Sequence, residues 1–132
     1  MSDTPDPAPP TPRRLRVWQQ NLNKSLQAQL DMLQSLKPHK YDLALIQEPY
    51  MDFRNKSRTN LRFTAVYPAQ HDSDVDPQRS RSLILVNTHL PSSSWSIIPI
   101  PSPDITAVEL RTPAGLLRII NVYNDCDHND SL

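Results

Sequence analysis

Between Leu15 and Glu48 the spacing of apolar residues changes twice, and this constrains the fold more than any other feature of the chain. Leu15, Val17 and Gln19 alternate with Arg16, Trp18 and Gln20, a period of two that predicts a strand over 15–20. Leu22, Leu26, Leu30, Leu33 and Leu36 follow at steps of four, four, three and three. That spacing predicts a helix over about 24–36 with these leucines on one face. Asn23 or Ser25 can cap its start by accepting a free backbone N–H, and Pro38 stops it. A second strand is predicted over 41–47. Its run Leu43-Ala44-Leu45-Ile46 has no polar alternate, as in a strand covered on both faces. Strand, helix, strand with short links predicts a βαβ unit whose two parallel strands end on the same rim.

Further strands are predicted over 62–67, 82–88, 95–98, 105–111 and 116–123. The last two form a hairpin across Thr112-Pro113-Ala114-Gly115, where Pro113 presets φ and Gly115 can take a positive φ. Trp18 and Trp95 are expected to pack in the core. Residues 1–14 hold five of the 14 prolines, which block helix and sheet alike, so a disordered Pro-rich leader is expected there. Residues 15–132 then form one partial domain. Six or seven strands with one amphipathic helix leave apolar surface uncovered, and Asn124–Leu132 reads as the cap of a further helix. The expected class is therefore α/β, the first half of a larger layered domain.

Composition excludes several chemistries. A single glycine cannot build a P-loop or a G-x-G-x-x-G turn. One cysteine, Cys126, and scattered histidines His39, His71, His89 and His128 make no zinc set. Acidic neighbours make Cys126 a poor nucleophile. His89 is expected to be a satisfied strand-end histidine. With 14 basic against 14 acidic residues, long-range attraction to nucleic acid is weak, and any DNA contact is expected to be salt-sensitive. No run approaches the length of a membrane span, and the N-terminus has no secretory h-region. An intracellular chain, nuclear or cytoplasmic, is expected, without membrane association.

Polar residues concentrate where strands end. Asn21 and Asn23 follow the first strand, and Gln47-Glu48 follows the second. On a shared rim, a carboxylate flanked by two amide oxygens is a hard set that suits Mg²⁺ or Mn²⁺. Asn121-Val122-Tyr123-Asn124 ends a third strand with a phenol and amides able to donate to a phosphate oxygen. Arg54, Lys56, Arg58 and Arg62 offer cations to a phosphate backbone. Arg79 and Arg81 are expected to be offset by Asp72, Asp74 and Asp76.

These residues, in this order, resemble the endonuclease/exonuclease/phosphatase superfamily. Leu15–Asn23 looks like its first motif, a strand ending in Asn. Leu45-Ile46-Gln47-Glu48-Pro49 looks like the second, whose Glu binds metal. Ser82–Asn87 is similar to its central strand, and Asn121-Val122-Tyr123 to its N-x-Y motif. The forms I-Q-E-P-Y, N-V-Y-N and Q-N-L-N-K-S most resemble the endonuclease domain of LINE-type (non-LTR) retrotransposons. The resemblance implies the N-terminal half of a four-layer α/β sandwich and metal-dependent hydrolysis of DNA phosphodiesters. It implies Glu48, Asn21 and Asn23 at an Mg²⁺ or Mn²⁺ site, with Tyr123 and Asn121 at the scissile phosphate. It implies DNA as a partner, along with the missing C-terminal half or the reverse transcriptase region of the same element. Asn23 departs from the acid found in the apurinic nucleases of the superfamily. The later motifs G-D-x-N and S-D-H, which orient water and pair with the phosphate, do not occur in this sequence, so the chain alone is expected to be inactive or nearly so. The competing expectation is a non-catalytic remnant or interaction protein.

Overall fold

A computed structural model describes residues 14–69, 71 and 80–124. The predicted leader, the acids Asp72, Asp74 and Asp76, and Cys126 and His128 lie outside these, except that Arg14 is described. The elements are β1 (Val17–Asn21), α1 (Leu26–Ser35), β2 (Leu43–Gln47), β3 (Phe63–Val66), β4 (Ser82–Asn87), a 3₁₀ turn (Ser92–Ser94), β5 (Trp95–Ile97), β6 (Ile105–Thr112) and β7 (Gly115–Val122). They form a mixed α/β fold with two sheets, ordered β1-β2-β4-β3 and β5-β6-β7. β1 and β2 are parallel, with Val17 opposite Leu43 and Asn21 opposite Gln47, as the βαβ pattern requires. β4 runs antiparallel to β2 and β3. No helix among the described residues is long and apolar enough to cross a membrane.

The unbroken apolar runs of β2 and β4 follow from their position at the centre of the larger sheet, because both faces are covered. Ala44, Ile46, Leu83 and Leu85 point to α1 and join Leu22, Met32, Leu36 and Phe63 in one core. Leu43, Ile84 and Val86 point the other way and meet Val108 and Leu110 of β6 in a second core. The described residues thus form three layers: helix, larger sheet, smaller sheet. Trp18 packs edge-on to Tyr41 at 5.2 Å, and Trp95 packs against the second core.

The helix buries most of the expected leucine face and departs from it at Leu30. Ser25, not Asn23, caps it, with its Oγ accepting from the Ala28 N–H at 3.0 Å. Leu36 and Leu22 are buried, but Leu30 is 44% exposed and Gln29 is fully buried in its stead. The reason is polar. The Gln29 amide donates to Ser57 Oγ (2.6 Å) and the Arg58 carbonyl (2.7 Å), and it accepts from the Tyr50 N–H (2.7 Å). One side chain so ties the loop after β2 to the helix, and the buried stripe turns from Leu30 toward Gln29 and Met32.

The β6–β7 hairpin closes through Pro113 and Ala114, with Thr112 paired to Gly115. Gly115 has φ +127°, a conformation that strains any side chain, and this is where the sole glycine stands.

Candidate active-site rim

The ends of β1 and β2 leave the sheet through backbone turns that L-residues seldom adopt. Asn23, Lys24 and Glu48 have φ of 51°, 61° and 50°. Asn tolerates this region, whereas Lys and Glu do so at a cost of order 1 kcal/mol or more each. Such strain persists only where the surroundings impose it. Here the Lys24 N–H donates to the Glu48 carbonyl at 2.8 Å, the Leu22 N–H to the Gln47 carbonyl at 2.9 Å and the Glu48 N–H to the Arg81 carbonyl at 2.9 Å. The two turns are therefore held against each other and against the start of β4. Asn21 Oδ1 accepts from the Asn23 N–H at 2.9 Å, closing the first turn.

Across the sheets, the end of β7 meets the end of β2. The Tyr123 hydroxyl donates to Glu48 Oε1 at 2.6 Å, joining residues 75 apart in sequence. Asn121 is buried beneath them. Its Nδ2 donates to the carbonyls of Ile46 and Leu83, each at 2.9 Å, and its Oδ1 accepts from Gln47 Nε2. Ser82 Oγ donates to the Asn121 carbonyl at 2.8 Å and lies 2.7 Å from Thr106 Oγ1. This seam of buried polar groups is satisfied throughout, which makes it rigid. It sets the height of Tyr123 over Glu48.

Arg81 completes the rim. Its guanidinium holds Asp104 through Nε (2.7 Å) and Nη2 (3.0 Å) and stands 5.1 Å from the centre of the Tyr123 ring. The Tyr123 N–H donates to the Asp104 carbonyl at 2.8 Å. Asp104 is thus a carboxylate partner of Arg81 that the sequence did not suggest, and the offset expected from Asp72, Asp74 and Asp76 lies outside the described residues. Lys24, Glu48, Tyr50, Ser80 and Arg81 line an open cleft of about 690 Å³.

The structure therefore brings Asn21, Asn23, Glu48, Asn121 and Tyr123 to one rim. Arg54, Lys56 and Arg58 are exposed on the loop that leaves the cleft after Met51. Asp52 folds this loop by accepting from the Arg54 and Lys56 N–H groups at 2.8 and 3.0 Å. Those backbone bonds, Lys56's first, hold its carboxyl below the usual range. Arg62 does not join them. It precedes β3, gives its carbonyl to the Thr88 N–H, and lies at the opposite end of the sheet. His89 is also at that far end, 3.2 Å from Asp42.

Sequence reasoning singled out Gln47 without giving it a role and passed over Lys24 and Asp104. A polar residue closing an apolar strand marked Gln47. Nothing local marked Asp104, whose partner Arg81 is 23 residues away.

As a cation site the rim has an oxygen-only donor set. Among the described residues no three His, Cys, Asp or Glu side chains cluster as metal ligands, so Glu48 would share the task with amides. One carboxylate with amide oxygens and water fits a hydrated Mg²⁺ or Mn²⁺, which binds through few protein ligands.

No family model and no curated protein matches the chain. Among solved structures it is similar to the endonuclease domain of TRAS1, a telomere-specific non-LTR retrotransposon, with a TM-score of 0.59 and 24% identity. The match covers 89% of this chain and 49% of that one. Over about half the length of that structure, this chain has the fold of a non-LTR retrotransposon endonuclease domain.

Proposed function

We propose that this chain is the N-terminal part of a metal-dependent DNA endonuclease of retrotransposon type, within a four-layer α/β sandwich. The observation that carries this reading is the contact between Tyr123 and Glu48, which joins two motifs distant in sequence at one strained rim. In this reading Glu48, Asn21 and Asn23 hold Mg²⁺ or Mn²⁺. The bound cation would neutralise charge developing on the phosphoryl oxygens. Tyr123 offers its hydroxyl to a phosphate oxygen, and Asn121 fixes the strand that carries it. Arg81 confines the Tyr123 ring from one side. Arg54, Lys56 and Arg58 touch flanking phosphates and fix the position of the strand without reading sequence.

The family this chain resembles carries its general base on the G-D-x-N motif, which does not occur in this sequence. Lacking a general base typically costs on the order of 10²–10⁴ in rate. The chain alone is therefore proposed to bind metal and DNA and to cut little or not at all.

Titration with Mn²⁺, followed by electron paramagnetic resonance, tests the site. Saturable binding weakened at least about tenfold by Glu48→Ala, with the melt unchanged, supports it. Binding that Glu48→Ala leaves intact overturns it. A plasmid-nicking assay in Mg²⁺ tests the rest. Cleavage that vanishes in Glu48→Ala keeps the site and overturns the inactivity.

A further inference from the structure

The far end of the larger sheet holds a second concavity that the proposed catalytic rim does not use. It occupies about 500 Å³ and is lined by Pro38, His39, Arg62, Asn87, Thr88 and His89. Three of these six carry nitrogen cations or imidazoles, and none is an acid. We propose that this concavity is a binding site for a phosphate group, with Arg62 as its principal cation.

Its walls are built rather than draped. Asn87 Nδ2 donates to the carbonyls of Pro38 (2.7 Å) and Tyr41 (2.9 Å), and its Oδ1 accepts from the His89 N–H (2.9 Å). Arg16 Nη1 donates to the His39 carbonyl at 2.7 Å. The Thr88 N–H donates to the Arg62 carbonyl at 2.8 Å. The segments carrying His39, Arg62 and His89 are thereby tied to one another through main-chain groups, so the pocket is formed before any ligand arrives.

The electrostatics favour an anion. The nearby carboxylate is Asp42, which is 5% exposed and already paired. It accepts from the Arg16 N–H (2.9 Å) and Arg16 Nη2 (3.0 Å), and His89 Nε2 lies 3.2 Å away. Asp42 thus neutralises Arg16 and steadies the His89 ring, and among the described residues no carboxylate pairs with Arg62. Lys37 and Lys40 flank the lining pair Pro38-His39 in sequence and add to the positive field. A guanidinium is a planar fork matched to two oxygens of a phosphate, and the Thr88 hydroxyl can donate to a third. The chemistry fits either a free phosphate or a phosphodiester of a nucleic-acid strand. The site is independent of metal and of the Glu48 rim.

The test uses the full chain at low salt, titrated with inorganic phosphate and, separately, with a dinucleoside monophosphate. Proton resonances of His39 and His89 report binding. Saturable shifts in the low millimolar range are expected, weakened about tenfold or more by Arg62→Ala, a change at an exposed position that leaves the melt unaltered. Binding of both probes assigns the site to a strand's phosphodiester, and binding of inorganic phosphate alone assigns it to a free or terminal phosphate. No saturable shift at either histidine overturns the site. So does a shift that Arg62→Ala leaves unchanged, or one that appears only at the Lys24 and Arg81 cleft.

Discussion

The two sheets differ in how much of themselves they bury. In the larger sheet every residue of β4 is buried, because α1 covers one face and the smaller sheet covers the other. In the smaller sheet β6 buries Thr106, Val108 and Leu110 against that neighbour, while the outward residues of β7 stay open: Leu116, Ile120 and Val122 are 63%, 54% and 53% exposed. The larger sheet is thus a finished layer and the smaller sheet a half-covered one. The candidate rim lies where the finished layer meets the inner face of the other, so it stands on the more fully buried of the two sheets.

That contrast makes its strongest claim on stability. Leu85→Ala leaves a cavity between β4 and α1 and is expected to cost about 3–4 kcal/mol. Ile120→Ala removes atoms already half in water and is expected to cost about 1 kcal/mol or less. Urea denaturation of the two variants measures the gap. Equal losses would mean that the outer face of β7 is as well covered as β4, and the comparison would fail.

The seam between the sheets is expected to come next. Asn121→Ala strips partners from the Ile46 and Leu83 carbonyls and from the Gln47 amide, groups that water does not reach. An unsatisfied buried polar group costs roughly 1–3 kcal/mol, so a loss of about 2–3 kcal/mol is expected. Gln47→Ala in the same background should add less than it does alone, because the pair shares one network. Strict additivity in a double-mutant cycle would show that the seam is not one unit.

Much of this arrangement is legible in the sequence because it is local. Alternation, the apolar runs and the Pro113–Gly115 turn locate the strands to within a residue or two. The pairing of β1 with β2 follows from the crossover helix between them. Strand ends rich in Asn, Gln and Glu point to the rim as a set and not singly, since an Asn at a strand end often caps its own turn, as Asn21 does for the Asn23 N–H. What was illegible is polar and long-range. Gln29 reads as a solvent-facing helix residue until the loop at Tyr50 and Arg58 closes over it, which is why the expected leucine face holds except at Leu30. Arg81 reads as one charge in a mixed loop until Asp104 arrives from a different sheet. Arg62 reads as the fourth member of a basic run, yet three intervening residues and a turn carry it to the far end. Hydrophobic spacing encodes which face is buried, and it carries no information on which amide or guanidinium will be drawn inside to satisfy a loop.

The finest test sets one ion pair of each sheet against the other. Asp42 ties the start of β2 to the start of β1 through Arg16, at 7% side-chain exposure. Burial alone pulls its carboxyl upward, but the hydrogen bonds and charge of Arg16, with the charge of His89, outweigh that and hold it below its usual value. A carboxyl lowered in the folded state contributes stability above its unfolded pKa of about 3.9, and that stability fades as the pH falls through the folded value. Glu109 and Arg118, 3.1 Å apart on the outer face of the smaller sheet, are 24% and 70% exposed, so solvent screens them and holding two long side chains together offsets the gain. Asp42→Asn should therefore lower stability at neutral pH and flatten its fall below about pH 4. Glu109→Gln should leave the whole profile nearly unchanged. Denaturation midpoints from pH 3 to 7, on the order of one measurement per half unit, separate the two. If Glu109→Gln flattens the acid limb as much as Asp42→Asn does, the outer face of the smaller sheet is shielded from water, and the two sheets are equally finished after all.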